Sequence, residues 1–303
     1  MPPASAQDVE SALLSVVVVP YAGVASMRHC LDALRTQADA GAIEVIIPVD
    51  ARTASWQSLG THPLGPRIVK VARGSGASAR RAQGVHDARG ALIAITEDHC
   101  VPDATWCAAI RTAHAATHAA IGGAVDKQEP DGVLAWALYL SDYGRYMSPV
   151  AEGPAAYLTD CNVSYKREAL QSIASVWRDA FHETAVNWAL SDRGETLWLT
   201  PTMRVSHRRS RRLGAALRER YEHGRIFAGT RVAGMSLARR ARLAAMTPAL
   251  PAVICQRALR HGTRGGKALA AATALPAILA TGVAWSLGEL VGYVTGRGPG
   301  AEA

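Results

Sequence analysis

The first 125 residues alternate between short apolar runs and stretches with helical periodicity. Residues 15–20, Ser-Val-Val-Val-Val-Pro, form an uninterrupted run that is typical of a strand buried on both faces of a sheet. The same criteria predict strands at residues 43–49, 67–72 and 91–96 and helices at residues 25–37, 77–89 and 103–119. Strands that alternate with helices predict an α/β fold with a mainly parallel sheet covered by helices.

Beyond residue 125 the pattern is less regular. It predicts helices at residues 132–146, 166–173 and 181–193 and strands at residues 158–164, 195–199 and 203–205. From residue 208 the chain is helical and basic, and from residue 243 it is apolar. We therefore predict an N-terminal tail at residues 1–14, an α/β domain at residues 15–210 and a helical region at residues 211–303.

The positive charge is concentrated in one segment. The 303-residue chain has a net charge of +8, but the segment from Arg204 to Lys267 holds 16 Lys and Arg against 2 Asp and Glu. The rest of the chain holds 17 against 23 and is mildly acidic. The basic segment has few interleaved aromatic residues, so we expect no nucleic-acid partner.

The cysteines and the N-terminus bear on the compartment. There are five cysteines, an odd number, and none lies in a Cys-x-x-Cys pair. This disfavours a disulfide framework or a zinc knuckle and favours a reducing compartment. The apolar run at residues 15–20 is too short for the core of a signal peptide, so no secretion signal is predicted.

Chemistry in an open α/β sheet is expected where the strands end. Residues 21–23, Tyr-Ala-Gly, do not supply the glycine-rich turn of a dinucleotide site, which disfavours NAD chemistry. Glu97, Asp98 and His99 follow a predicted apolar strand. Such a group can bind a divalent cation that neutralises a diphosphate. The alternative is that these residues are solvated loop acids and a helix cap.

Several motifs, taken in order, resemble those of family 2 glycosyltransferases. They are residues 15–21 (SVVVVPY), 30–37 (CLDALRTQ), 44–50 (EVIIPVD), 76–84 (GASARRAQG), 95–99 (ITEDH), 160–168 (DCNVSYKRE), 182–184 (HET) and 205–207 (VSH). The resemblance covers roughly residues 15–210. It implies the GT-A fold, with a Rossmann-like nucleotide-binding half and an acceptor half, and transfer of a sugar from a nucleotide-sugar donor to a hydroxyl acceptor.

The resemblance also implies residues that hold the nucleotide sugar. Pro20, Tyr21 and Asp50 match positions around the nucleotide base, where the Asp50 carboxylate can accept a hydrogen bond from the base or the ribose. Arg80 matches an arginine on the nucleotide side. Glu97 and Asp98 match the acidic element beside the diphosphate.

The metal and the catalytic base are implied in the same way. Asp98 matches the metal-binding acid, with His99 in the last position of that motif, and His207 matches a histidine that lies near the metal or diphosphate in some relatives. The implied cofactor is Mn²⁺ or Mg²⁺. Glu183 matches the catalytic base of an inverting transfer. The alternative is a solvent-facing acid in the first turn of a helix, where its charge interacts favourably with the helix dipole.

The chain departs from the family pattern at five positions. Ala22 and Arg81 stand where asparagine is usual, and Val49, His99 and His182 stand where an acid is usual. An acid remains for each step of the reaction, which favours an active enzyme. No Gln-x-x-Arg-Trp element follows residue 207, and the resemblance therefore implies addition of a single sugar rather than processive synthesis.

The C-terminal third predicts contact with a membrane. Residues 268–288 contain no charged side chain and are long enough to span a bilayer, although they are rich in alanine and contain Pro276. The basic flank before them predicts an anionic membrane surface as partner and a location at the cytoplasmic face of the membrane. A single span, an interfacial hairpin and a soluble helical bundle all remain open.

Three functions remain in competition at this point. The leading hypothesis is a membrane-associated, inverting, metal-dependent glycosyltransferase, for which a lipid-linked or cell-envelope glycan is an attractive acceptor. The second is a catalytically silent relative that binds a nucleotide or a lipid headgroup. The third is a nucleotidyltransferase, which is disfavoured because residues 20–22, Pro-Tyr-Ala, offer no glycine-rich basic loop.

Overall fold

A computed structural model describes seven stretches of the chain. These are residues 14–37, 43–50, 54–72, 74–128, 132–208, 211–232 and 234–296, so residues 1–13 of the predicted tail lie outside the described residues. The chain divides into two compact units. The first comprises residues 1–127 and 148–208, and the second comprises residues 128–147 and 209–303.

The first unit is built on one mixed sheet. Within the described residues its strands are β1 (Leu14–Val19), β2 (Ile43–Asp50), β3 (Arg67–Val71), β4 (Leu92–Glu97), β5 (Cys100–Pro102), β6 (Ala120–Lys127), β7 (Gly153–Pro154), β8 (Asn162–Lys166) and β9 (Leu197–His207). Their order is β3-β2-β1-β4-β8-β6-β9-β5, and β7 pairs with β9.

Helices occur in both units. They are α1 (Val24–Arg35), α2 (Ala54–Gln57), α3 (Ala77–Asp87), α4 (Trp106–His114), α5 (Val133–Asp142), α6 (Arg167–Ser172), α7 (Ala174–Trp177), α8 (Glu183–Asp192), α9 (Leu213–Arg231), α10 (Leu237–Met246), α11 (Leu250–Arg264) and α12 (Ala268–Thr295).

The predicted parallel block is confirmed. Strands β1 to β4 run parallel, with Val17 of the central strand opposite Ile46 of β2 and Ile95 of β4. Every residue of β1 is buried, as expected for a β-branched strand covered on both faces. The carboxyl ends of these strands therefore lie along one edge of the sheet, where Tyr21, Asp50 and Glu97 follow or end them.

The second half of the sheet is mixed. Strand β8 is antiparallel to both β4 and β6, whereas β9 is parallel to β6 and antiparallel to β5. The prediction of two strands at residues 195–199 and 203–205 was wrong, because one strand, β9, runs without a break from residue 197 to residue 207. A register shift between Gly123 and Ala124 accommodates the irregular middle of β9. A Cβ on Gly123 would overlap the carbonyl oxygen of Met203, so this passage requires glycine.

The second unit, in the described residues, is helical. Helix α12 packs along α9 and also contacts α5, α10 and α11. It is the one helix in the described part of the chain that is long and apolar enough to cross a membrane, judged by length and composition alone. Residues 132–146, predicted as one helix, form α5 followed by a short 3₁₀ turn at Gly144–Tyr146.

A buried histidine in the first unit predicts a loss of stability in acid. The Nε2 atom of His114 lies 2.9 Å from the Ser164 hydroxyl, and burial, helped by Lys166, lowers the pKa of His114 from 6.5 to about 4. Below pH 6.5 the unfolded chain takes up a proton here and the folded chain does not. The free energy of unfolding should therefore fall by as much as about 3 kcal/mol between pH 6.5 and 4.

Denaturant unfolding of wild type and His114→Asn across this range measures the effect. The variant should show a smaller slope of stability against pH, and the exposed His29→Asn is the control for loss of one histidine. Equal slopes for wild type and His114→Asn would contradict the prediction.

Candidate active site

The site is built where β4 ends. Glu97 is the last residue of β4, and Asp98 and His99 follow it in the turn before β5. All three residues are at most 3% exposed. Three consecutive ionisable groups that are buried at a strand end need partners, because an unpaired buried charge is costly. Their partners differ and give the three residues different roles.

Asp98 holds the loop that follows β1. Its Oδ1 and Oδ2 atoms accept hydrogen bonds from the backbone N–H of Ala22 at 2.9 and 2.8 Å, and Oδ2 accepts another from Gly23 at 2.9 Å. Gly23 caps α1 with a φ of 106°, in the region that favours glycine. The carboxylate therefore satisfies N–H groups at the start of the helix, whereas the sequence analysis expected it to bind the metal.

Removal of the Asp98 carboxylate should destabilise the fold. Asp98→Ala would leave the N–H groups of Ala22 and Gly23 without their charged acceptor, and we expect the free energy of unfolding to fall by about 2–4 kcal/mol. Denaturant unfolding measures the loss, with the exposed Asp179→Ala as the matched control. A stability equal to that of the control variant would mean that these hydrogen bonds contribute little.

Glu97 and His99 face one another. The Nε2 atom of His99 lies 3.0 Å from the Oε2 atom of Glu97, and the Nδ1 atom of His99 lies 3.4 Å from the Oδ1 atom of Asp98. Strand β5 pairs with β9 so that Cys100 is opposite His207. The His207 ring consequently packs edge-on against the His99 ring, with 4.8 Å between the ring centroids. The structure thus brings together Asp98, His99 and His207, the three residues that the sequence analysis placed at the metal.

The chemistry of this group fits a divalent ion. Donor atoms of Glu97, His99 and Cys100 all lie within 4.8 Å of one another. Neighbouring ligands of an octahedral ion with bonds of about 2.1 Å are about 3 Å apart, as are Nε2 and Oε2 here. A histidine ligand usually donates its other ring N–H to a carboxylate, which is the place that Asp98 occupies. A set of imidazole and carboxylate donors suits Mn²⁺ better than Mg²⁺.

Arg81 is the residue that the sequence analysis treated only as a departure from the family pattern. It lies on α3, is 6% exposed, and donates from Nη2 to Glu97 Oε1 at 2.9 Å and to the Tyr21 hydroxyl at 3.0 Å. It also forms an ion pair with Asp160. One guanidinium therefore joins the ends of β1 and β4 to the segment before β8. An arginine in place of an amide in the GASARRAQG motif was the available signal.

Asp160 and Glu183 form the second acidic group. Antiparallel pairing of β8 with β4 sets Asn162 opposite Thr96, and this places Asp160 beside the end of β4. Glu183 is the first residue of α8, and the preceding Phe181 N–H donates to Ser78 O at 2.9 Å, which ties this segment to α3. Glu183 lies near enough to Asp160 to contribute to the raised pKa of that carboxyl.

The pKa of Asp160 depends on burial and on two charged neighbours. Burial raises the pKa of the Asp160 carboxyl well above its usual range; Arg81 opposes this, and the neighbouring Glu183 adds to it. Arg81 forms an ion pair with Asp160, and Glu183 lies beside this pair at the start of α8. The sequence analysis quoted Asp160 in a motif but gave it no role.

The residues expected on the nucleotide side lie along the same edge. Arg80 donates from Nη1 to the carbonyl oxygen of Pro20 at 2.9 Å. The Tyr21 ring meets the His99 ring edge-on, with centroids 5.8 Å apart. Asp50 ends β2 and accepts a hydrogen bond from the Gly74 N–H at 2.8 Å, so it is joined to the turn before α3.

Two of the solved structures that are similar to this chain share little sequence identity with it. Mannosyltransferase PcManGT from Pyrobaculum calidifontis, in complex with GDP-Man and Mn²⁺, is 17% identical; the match covers 93% of this chain and 85% of that one, with a TM-score of 0.49. Residues 1–349 of TarS from S. aureus are 12% identical; the match covers 88% of this chain and 89% of that one, with a TM-score of 0.49. No curated protein matches the chain.

A family model gives the assignment. The model described as "Glycosyl transferase family 2" matches residues 15–174, which is more than half of the chain. The match contains the whole parallel block, the Glu97–His99 turn, Arg81 and Asp160, in the mixed α/β sheet expected of a GT-A fold. The chain therefore belongs to glycosyl transferase family 2 and is a glycosyltransferase.

Proposed function

We propose that the protein transfers a single sugar, with inversion, from a nucleoside-diphosphate sugar to a hydroxyl acceptor, with a divalent ion held by Glu97 and His99. The observation that carries the proposal is the placement of two pairs of residues at one sheet edge, the first pair buried and the second half-buried. Glu97 with His99 and Asp160 with Glu183 both lie there, and Arg81 bonds to both. A transfer of this kind needs a cation for the leaving diphosphate and a base for the acceptor.

Glu97 and His99 are the residues that would hold the ion, with His207 beside them. A bound Mn²⁺ or Mg²⁺ supplies positive charge that stabilises the departing diphosphate. Asp98 would hold this site in place. It accepts hydrogen bonds from the backbone N–H groups of Ala22 and Gly23 and orients the His99 ring through Nδ1. In this proposal His99 keeps the metal-binding role predicted from the sequence, and Glu97 takes the role predicted for Asp98.

Glu183 is the proposed general base. A hydroxyl group attacks an anomeric carbon well only if its proton leaves as the bond forms. Asp160 is held by its ion pair with Arg81, and the neighbouring Glu183 is the acid that would take the proton of the acceptor. Attack opposite the diphosphate then inverts the anomeric carbon.

The nucleotide lies towards β1 and β2 in this proposal. Pro20 and Tyr21 follow β1 and Asp50 ends β2, which places them at the carboxyl edge where α/β sheets bind ligands. Arg80 is fixed to the Pro20 carbonyl and would hold the loop that contacts the base. The turn from Gly74 to Gly76, bonded to Asp50, leads into α3 beside the same site.

The helical region would bring the enzyme to its acceptor. We assign catalysis to residues 15–210 and membrane contact to residues 211–303, at the cytoplasmic face of an anionic membrane. The apolar length of α12 and the basic segment before it support this assignment. A lipid-linked or cell-envelope glycan is the acceptor class that such a location favours.

A donor screen tests the proposed function. Thermal unfolding is followed with a panel of nucleotide sugars, each with Mn²⁺, with Mg²⁺ and with a chelator, and turnover of each stabilising donor is then assayed. A donor at about 100 times its Kd should add about 3 kcal/mol to stability. We expect at least one nucleotide sugar to raise Tm more with Mn²⁺ than with chelator, while free sugars do not. Stabilisation that is identical with chelator would contradict the metal, and no stabilisation by any donor would contradict the function.

A further inference from the structure

We infer that α12 does not span the bilayer, and that it lies in the plane of an anionic membrane surface with one apolar face inserted. The inserted face, here called the apolar stripe, consists of Leu269, Leu279, Val283, Leu287 and Val294, which are between 43% and 79% exposed. The inference rests on the membrane contact proposed above and specifies its geometry and its residues.

The apolar stripe is confined to one side of the helix. At 100° per residue its five members fall within a sector of about 80°. The buried residues of α12, including Ala274, Ile278 and Gly292, fall on the opposite side. A helix surrounded by lipid is apolar on all sides, whereas a helix that lies in an interface has one apolar face and one face committed to other contacts.

The opposite side of α12 is committed to close packing with α9. A Cβ at Gly224 would overlap the backbone of Trp285, and a Cβ at Gly288 would overlap the carbonyl oxygen of Tyr221. A Cβ at Gly292 would likewise overlap the carbonyl oxygen of Arg225. Three glycines therefore let the two backbones approach closely, so a membrane that accepts α12 as a span must also take in α9.

Charged groups of the unit are bonded to α12 along this side. The Arg220 guanidinium lies 5.0 Å from the centre of the Trp285 ring, and Arg231 Nη1 donates to the Tyr293 hydroxyl at 2.7 Å. Glu289 accepts from Trp285 Nε1 at 2.8 Å. Charged side chains are strongly disfavoured in the hydrocarbon of a bilayer. A spanning α12 would have to break these contacts or carry the charges with it, and an in-plane α12 keeps all of them.

The charge around the stripe favours an anionic lipid surface over a second copy of the chain. Between residues 211 and 267 there are 13 Lys and Arg against 2 Asp and Glu. Lys267 precedes the start of the stripe by two residues, and Arg240 Nη2 donates to Tyr293 O at 2.7 Å at the other end. Two such surfaces would repel one another, whereas anionic headgroups would attract both.

Vesicle flotation of the full chain tests the inference. Vesicles of phosphatidylcholine alone are compared with vesicles that contain phosphatidylglycerol, before and after an alkaline carbonate wash. We expect binding to the anionic vesicles to exceed binding to neutral ones by about tenfold or more and to be released by carbonate. The double variant Leu279→Glu/Leu287→Glu should lose about tenfold or more of the binding, and the exposed Val176→Glu in the first unit should lose none.

The outcomes separate this inference from the proposals on which it depends. Binding that survives carbonate would mean that α12 spans, which overturns the in-plane geometry but keeps membrane contact. Failure to bind either vesicle would overturn both. A dimer in sedimentation analysis that the double variant dissociates would make a second copy the occupant and overturn the inference. Circular dichroism and donor-induced thermal shifts, measured on each variant, establish that the fold and the donor site remain.

Discussion

Replacement of Glu183 by glutamine should lower kcat by about 10²- to 10⁴-fold while the donor still binds. The reason is that Glu183 is the proposed base, and an amide in its place cannot accept the proton of the acceptor. Steady-state transfer assays measure kcat, and the thermal shift with the donor measures binding.

The control for Glu183→Gln lies in the same helix. Asp192 is an exposed acid at the end of α8, and Asp192→Asn should leave kcat unchanged. If Glu183 served only the helix dipole, Glu183→Gln would cost about 0.3–1 kcal/mol of stability and no turnover. Full turnover by Glu183→Gln would therefore refute its assignment as the base.

Replacement of His99 by alanine should weaken Mn²⁺ binding by at least about 100-fold. Loss of a residue that only supports a metal ligand typically costs 10- to 100-fold, and loss of the ligand itself should cost no less. The expectation follows from the 3.0 Å separation of His99 Nε2 and Glu97 Oε2. Electron paramagnetic resonance of free Mn²⁺ measures binding directly, without an assay of transfer.

Asp98→Asn is the comparison that decides between neighbouring residues. An asparagine oxygen can still accept from a backbone N–H or from His99 Nδ1, so this variant should lose about tenfold at most in Mn²⁺ affinity. His29→Ala, an exposed position, should lose none. A larger loss of Mn²⁺ affinity in Asp98→Asn than in His99→Ala would mean that Asp98, and not His99, binds the ion.

The parallel half of the fold could be predicted from the sequence because its physics is local. The β-branched run of β1 and the helical repeats after it define strands and helices without knowledge of their partners. The mixed half of the sheet was harder to predict from the sequence. The single strand β9 depends on a register shift at Gly123, and that shift depends on the approach of Met203 from a distant part of the chain.

The site residues were identified as a group, while their individual roles depended on tertiary contacts. The sequence places Glu97, Asp98 and His99 at a strand end but does not say which of them faces the backbone of Ala22. Arg81 was missed because its partners Glu97 and Asp160 are 16 and 79 positions away, and only the pairing of β8 with β4 brings them together. A buried arginine and a surface arginine have the same helical pattern in sequence.

The most direct test is the position of the ion. Anomalous diffraction at the manganese edge, from crystals soaked with Mn²⁺ and a stabilising nucleotide sugar, should show a peak bonded to Glu97 and to His99 Nε2, with the Asp98 carboxylate still on the N–H groups of Ala22 and Gly23. A peak bonded to Asp98, or a donor bound with no ion at Glu97 and His99, would contradict the account.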